Sequence, residues 1–70
     1  MEFAQMVKEI RSKLNMSQEL LARELQVSFA TVNRWENGKN SPNRMEKKSL
    51  YDFCKTKGIA EELIKHLLDY

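Results

Sequence analysis

A single cysteine, Cys54, leaves no intramolecular disulfide and no cysteine-based metal cluster to consider. A single histidine, His66, likewise removes paired-histidine metal or acid–base chemistry. Proline occurs once, at Pro42, and glycine twice, at Gly38 and Gly58, so each marks a break worth reading. No apolar run approaches the roughly 20 residues of a membrane span. The opening Met1-Glu2-Phe3 has neither the basic nor the apolar segment of a secretory signal. A reducing cytoplasm is the expected setting, with no membrane partner. No stretch alternates polar and apolar residues as a strand would, and there is no repeat or low-complexity segment. Carboxylates are scattered, and neither a Ser/His/Asp arrangement nor a glycine-rich phosphate loop occurs. No catalytic residue, metal or cofactor is expected.

What is present is helical periodicity. Seventy residues make one domain, residues 1–70, near the lower size limit for folding alone. Phe3, Met6, Val7, Ile10 and Leu14 recur at three- and four-residue steps, which predicts a helix over residues 2–14 that stops at Asn15. Ser41-Pro42 opens a further helix over residues 43–57, since proline is tolerated at a first helical position. Its inward residues are expected to be Met45, Leu50, Phe53 and Cys54, with Gly58 as the stop. A last helix over residues 60–69 shows Leu63, Ile64, Leu67 and Leu68, with Glu61 and Glu62 at its positive end. His66 is expected at its surface or end.

Between these lies the most informative stretch. Ser17 precedes the run Leu21, Ala22, Leu25, and Ser28 precedes Val32 and Trp35, each serine standing where an N-cap belongs. Leu25-Gln26-Val27 leaves room for about one turn, so the two helices must cross steeply. Residues 17–37 therefore read as a helix-turn-helix, whose second helix is the one presented to a DNA major groove. The fold class expected is all-α, a compact bundle of five short helices.

Leu21, Val27 to Gly38 and Pro42 carry a closer likeness. The pattern resembles the Cro-type, lambda-repressor-like (XRE) helix-turn-helix family of phage and bacterial regulators, over roughly residues 3–58. The resemblance places Leu21, Ala22, Val32 and Trp35 inside, with Ala22 where the two helices touch. It assigns the groove-facing positions to Ser28, Phe29, Ala30, Asn33 and Arg34. It also implies that Arg11 pairs with Glu36 as a structural tie between the first and third helices. Two residues depart from the pattern. The turn position that is commonly glycine is Gln26, which would cost roughly 1 kcal/mol in a left-handed backbone. Leu20 stands where a second acidic residue is usual, which puts an apolar group near a DNA-facing or partner-facing surface.

The chemistry of these residues suits duplex DNA. With Val32 and Trp35 turned inward, Arg34 is available for guanine O6 and N7, and Asn33 for adenine or a phosphate. Phe29 and Ala30 lack hydrogen-bonding groups but fit a thymine methyl; Phe29 could instead meet a protein partner or the core edge. Arg34 could equally touch only phosphate. Gln18, in the first turn of its helix, is placed for a backbone phosphate. Lys39, Asn40, Ser41, Asn43 and Arg44 form a polar loop and helix start that would clamp phosphates, or simply be solvated. A tryptophan can stack on a base in a single-strand binder, but the spacing of Trp35 with Val32 makes it core. Cys54, on an apolar face, reads as a small buried hydrophobe.

Net charge is only +2, yet its distribution is uneven. Residues 41–58 carry Arg44, Lys47, Lys48, Lys55 and Lys57 against Glu46 and Asp52, directly after the second helix of the motif. The function expected is sequence-specific double-stranded DNA binding by a bacterial or phage transcriptional regulator such as a repressor. The last helix has a wide apolar face: one half can cover the core and the other, with Tyr70, would serve a homodimer or another protein, unless all of it packs within the chain. The alternative is an interaction module: the antitoxin of a toxin–antitoxin pair, or the DNA-targeting domain of a larger enzyme.

Overall fold

The computed structural model describes residues 2–39, 42–65 and 67. Among them the chain is all-helical: α1 (Phe3–Leu14), α2 (Gln18–Leu25), α3 (Phe29–Glu36), α4 (Arg44–Thr56) and α5 (Glu61–Ile64). None of these helices is long and apolar enough to cross a membrane.

The starts follow from short polar side chains. Ser17 Oγ accepts from the Leu20 N–H at 3.0 Å, and Ser28 Oγ from the Thr31 N–H at 3.1 Å. Each satisfies a helix donor that has no partner inside the helix. At α4 the cap is Asn43, one residue after Pro42. Its Oδ1 accepts from the Glu46 N–H while Glu46 Oε1 accepts from the Asn43 N–H, a reciprocal capping box. Pro42 is thus buried ahead of the helix rather than in its first turn.

The ends share one device. After α1, α2, α3 and α4 the backbone turns left-handed at Asn15, Gln26, Gly38 and Gly58. In each case the next N–H, of Met16, Val27, Lys39 and Ile59, reaches back to the carbonyl of Arg11, Ala22, Arg34 and Cys54. That six-to-one bond closes the helix and redirects the chain. Gln26, at φ 59°, adopts the strained conformation expected from its side chain.

The core gathers one stripe from every helix. Phe3, Met6, Val7 and Ile10 come from α1, Leu21 and Ala22 from α2, and Val32 and Trp35 from α3. Leu50 and Cys54 of α4, with Ile64 and Leu67, close it. The rings of Phe3 and Trp35 meet edge-to-face at 5.7 Å. Trp35 is 2% exposed, so it has no face to offer a base.

One expectation about packing fails. Met45 points outward at 77% exposure, beside an open hollow that it lines with Leu25, Val27 and Trp35. At about 100° per residue it lies roughly 180° from Cys54, so it cannot share that face. Phe53 is half-buried and packs against the core, on the inward side expected of it. Of the last predicted helix, residues 60–69, the structure describes α5 over Glu61–Ile64 and a turn at Lys65; residues 66 and 68–70 lie outside the described residues. The N-cap of α5, Ala60, has no polar side-chain atom to accept from the first donors. Ile64 and Leu67 are fully buried and Leu63 packs against the core, so this part of the apolar face serves the chain itself. The other residues of the predicted face, Leu68 and Tyr70, lie outside the described residues, as do His66 and Asp69.

Candidate nucleic-acid interface

α3 packs on α1 and α2, and that packing divides its surface. Val32 and Trp35 are buried, whereas Ser28, Phe29, Ala30 and Arg34 are exposed and Asn33 is half-buried. Phe29 is 50% exposed, too open to be a core-edge residue. On a helical wheel Phe29, Asn33, Asn37, Ala30 and Arg34 fall within an arc of about 140°. The outer face therefore combines an aromatic ring, a methyl, two amides and a guanidinium on a rigidly seated helix.

The seat is a charged pair. Arg11 Nε donates to Glu36 Oε2 at 2.6 Å, and Nη2 donates to Oε1 at 2.9 Å. Arg11 Nη1 also donates to the Met16 carbonyl at 3.0 Å, so one guanidinium fixes the end of α1 and the end of α3. The Glu36 side chain is 3% exposed and that of Arg11 24%. Burial pushes the Glu36 carboxyl up, but hydrogen bonds from Arg11 and Gln18 and the charges of Arg11 and Lys8 outweigh it and hold it below its ordinary value. The same hydrogen bond raises Arg11. Such fork-to-fork pairing fixes direction as well as distance.

From Glu36 the hydrogen bonding continues outward. Gln18 Nε2 donates to Glu36 Oε1 at 3.0 Å, Asn33 Nδ2 donates to Gln18 Oε1 at 3.2 Å, and Asn37 Nδ2 donates to Asn33 Oδ1 at 3.0 Å. Three helices thus meet in one chain of polar side chains that ends on the outer face of α3.

Comparison with known proteins agrees with this architecture. Residues 7–45 match the helix-turn-helix family. The chain belongs to the Cro-type, lambda-repressor-like helix-turn-helix DNA-binding family. It is also 38% identical over 53 residues to the HTH-type transcriptional activator BcrR of Enterococcus faecalis. That match takes in 76% of this chain but only 26% of the relative, so the chain spans about a quarter of that protein. No solved structure matches.

Within this helix-turn-helix domain the sequence-predicted residues take unequal places. Gln18, Asn33, Arg11 and Glu36 come together in the network just described. Ser28 is occupied as a cap, with its Oγ also 2.8 Å from Thr31 Oγ1. Asn43 is likewise engaged, its Oδ1 held by the Glu46 N–H. Lys39 and Arg44 are exposed at the end of α3 and the start of α4. Asn40 and Ser41 lie outside the described residues. Leu20 is 38% exposed, in a hollow that it lines with Glu24 of the same helix and with Leu14, Met16 and Lys57 at the ends of α1 and α4.

Asn37 was not among the predicted site residues. Its spacing of four from Asn33 was the available signal, since such residues neighbour each other on a helix. Away from α3, Tyr51 Oη donates to Glu61 Oε2 at 2.7 Å, and Lys55 Nζ lies 3.4 Å from Glu61 Oε1. These contacts pin α5 to α4. Among the described residues no group of three metal-ligating side chains forms.

Proposed function

We propose that this domain binds double-stranded DNA sequence-specifically through α3, as the DNA-reading part of a transcriptional regulator. The observation that carries the reading is the division of α3: an apolar inner face locked by Trp35 and the Arg11–Glu36 pair, and an outer face bearing Phe29, Ala30, Asn33 and Arg34. An α-helix of that width enters the major groove, where Arg34 matches guanine and Asn33 matches adenine. Gln18, Lys39, Asn43 and Arg44 are assigned to the phosphates, which set position rather than sequence.

Helix-turn-helix regulators of this family are generally not enzymes. The setting we propose is cytoplasmic. A lone module with few phosphate contacts binds weakly at physiological salt, so we propose action as a pair, with recognition helices at half-sites about one helical turn, ~34 Å, apart. The matched relative is an activator; occupancy beside a promoter serves either sign of regulation.

Selection from random duplex DNA at near-physiological salt tests this. A palindrome with half-sites about ten base pairs apart is expected. A single half-site would retain DNA reading but remove the pairing, and recovery of no sequence by folded protein would overturn the function.

A further inference from the structure

We propose that the buried Glu36 carboxylate sets which way the Asn33 amide faces the DNA, through a one-way relay across Gln18. This makes Gln18 and Glu36 positioning residues for base choice. The inference rests on the reading that α3 enters duplex DNA.

The direction follows from the inventory of donors and acceptors. An ionised carboxylate only accepts hydrogen bonds. Glu36 Oε1 already accepts from Arg11 Nη2, and it faces the end of the Gln18 amide at 3.0 Å. That end of Gln18 must therefore be its nitrogen. Its oxygen then faces Asn33, so the end of Asn33 in contact, at 3.2 Å, must be Nδ2. The Asn33 oxygen is left facing Asn37, which donates to it at 3.0 Å.

An unanchored amide has no such preference. Its oxygen and NH2 ends are nearly alike in shape, so either orientation fits the same space. Asn37 cannot supply the anchor, because its own amide can donate or accept. Only the Glu36 carboxylate is a fixed acceptor in this series, and Arg11 keeps it ionised.

The consequence lies in what Asn33 has left. One of its two N–H donors is used by Gln18 and one oxygen lone pair by Asn37, so one donor and one acceptor remain. The relay puts the donor on the α2 side and the acceptor on the Asn37 side. Adenine requires a donor opposite N7 and an acceptor opposite N6, so a reversed amide would not read the same base in the same place.

The experiment is selection from random duplex DNA with the wild type and three variants, each also checked by thermal melting. Asn33→Ala identifies the base pair that Asn33 reads. Gln18→Met keeps the side-chain length and removes both amide atoms. The expected result is that Gln18→Met lowers the preference at that same pair by about tenfold. Preferences elsewhere are retained, because loss of a phosphate contact weakens all sequences alike. Glu36→Gln, whose own amide can turn either way, is expected to flatten the same pair. Should Glu36→Gln unfold the domain, Gln18→Met decides alone.

The relay is overturned if the preference survives Gln18→Met, if Gln18→Met acts equally at every position, or if Asn33→Ala changes no single pair. Recovery of no sequence by the wild type overturns the DNA reading itself. That outcome is distinct from a recovered motif that ignores residue 18.

Discussion

Gln26 turns the chain between α2 and α3 in a left-handed conformation, φ 59° and ψ 42°, without the freedom of glycine. The crowding of its Cβ costs about 1–2 kcal/mol. Glycine would remove that cost but add about 0.4–1 kcal/mol of unfolded-state entropy. The strain is the larger, so Gln26→Gly is expected to stabilise the domain by about 0.5–1 kcal/mol, read as a higher urea midpoint with unchanged slope; a lower midpoint would show that the Gln26 side chain contributes more than it strains. Glu36 gives a second prediction. Its carboxyl titrates below its ordinary value in the folded state, so on acidification the unfolded chain takes up the proton first. The stabilisation is complete above about pH 4.3 and is lost as pH falls through the lowered folded value. Melting temperature should fall over that acidic range in the wild type and fall less steeply in Glu36→Gln. Parallel curves would place the acid sensitivity elsewhere.

At the scale of the helices, local chemistry decides where each begins and tertiary packing decides how far the weakest extends. The capping box of Asn43 and Glu46 fixes the start of α4. Asn43→Ala should cost about 1 kcal/mol, seen as a lower melting temperature whether or not DNA is present. No change in free-protein stability would leave Asn43 with only a binding role. Ser17, Ser28, Asn15, Gly38 and Gly58 were legible as starts and stops because a cap or a left-handed turn demands a particular residue type. Met45 was misplaced because a list of apolar residues does not weigh angle, and on the wheel it opposes Cys54. α5, Glu61–Ile64, depends on more than its own residues. A helix of four residues has almost no stability of its own, so its length depends on the docking of Ile64 and Leu67 and on the Tyr51–Glu61 contact. The polar relay was only half legible: Asn33 and Asn37 are visibly one turn apart, but nothing in the sequence says that Gln18 lies between Asn33 and Glu36.

For the molecule as a whole, Cys54 provides an internal reporter. It is fully buried on α4, and burial pushes its thiol up to about 12, so the reactive thiolate is nearly absent in the folded state. Labelling by a thiol reagent must then wait for opening. Small domains are stable by about 0.05–0.15 kcal/mol per residue, roughly 3.5–10 kcal/mol at this length. The folded chain should therefore label at least some hundreds of times more slowly than the denatured chain. The Arg11–Glu36 pair supplies the contrast. It joins α1 to α3, and losing Arg11 leaves the 3%-exposed Glu36 charge without its partner, a cost of about 3–5 kcal/mol for a buried pair. If the five helices open as one unit, Arg11→Ala should speed Cys54 labelling by roughly 100-fold or more, with a matching fall in melting temperature. If α4 and α5 open by themselves, labelling will be fast in the wild type and indifferent to Arg11. Core and recognition helix would then be separate in stability, and strain at the seat of α3 would not reach the other side of the molecule.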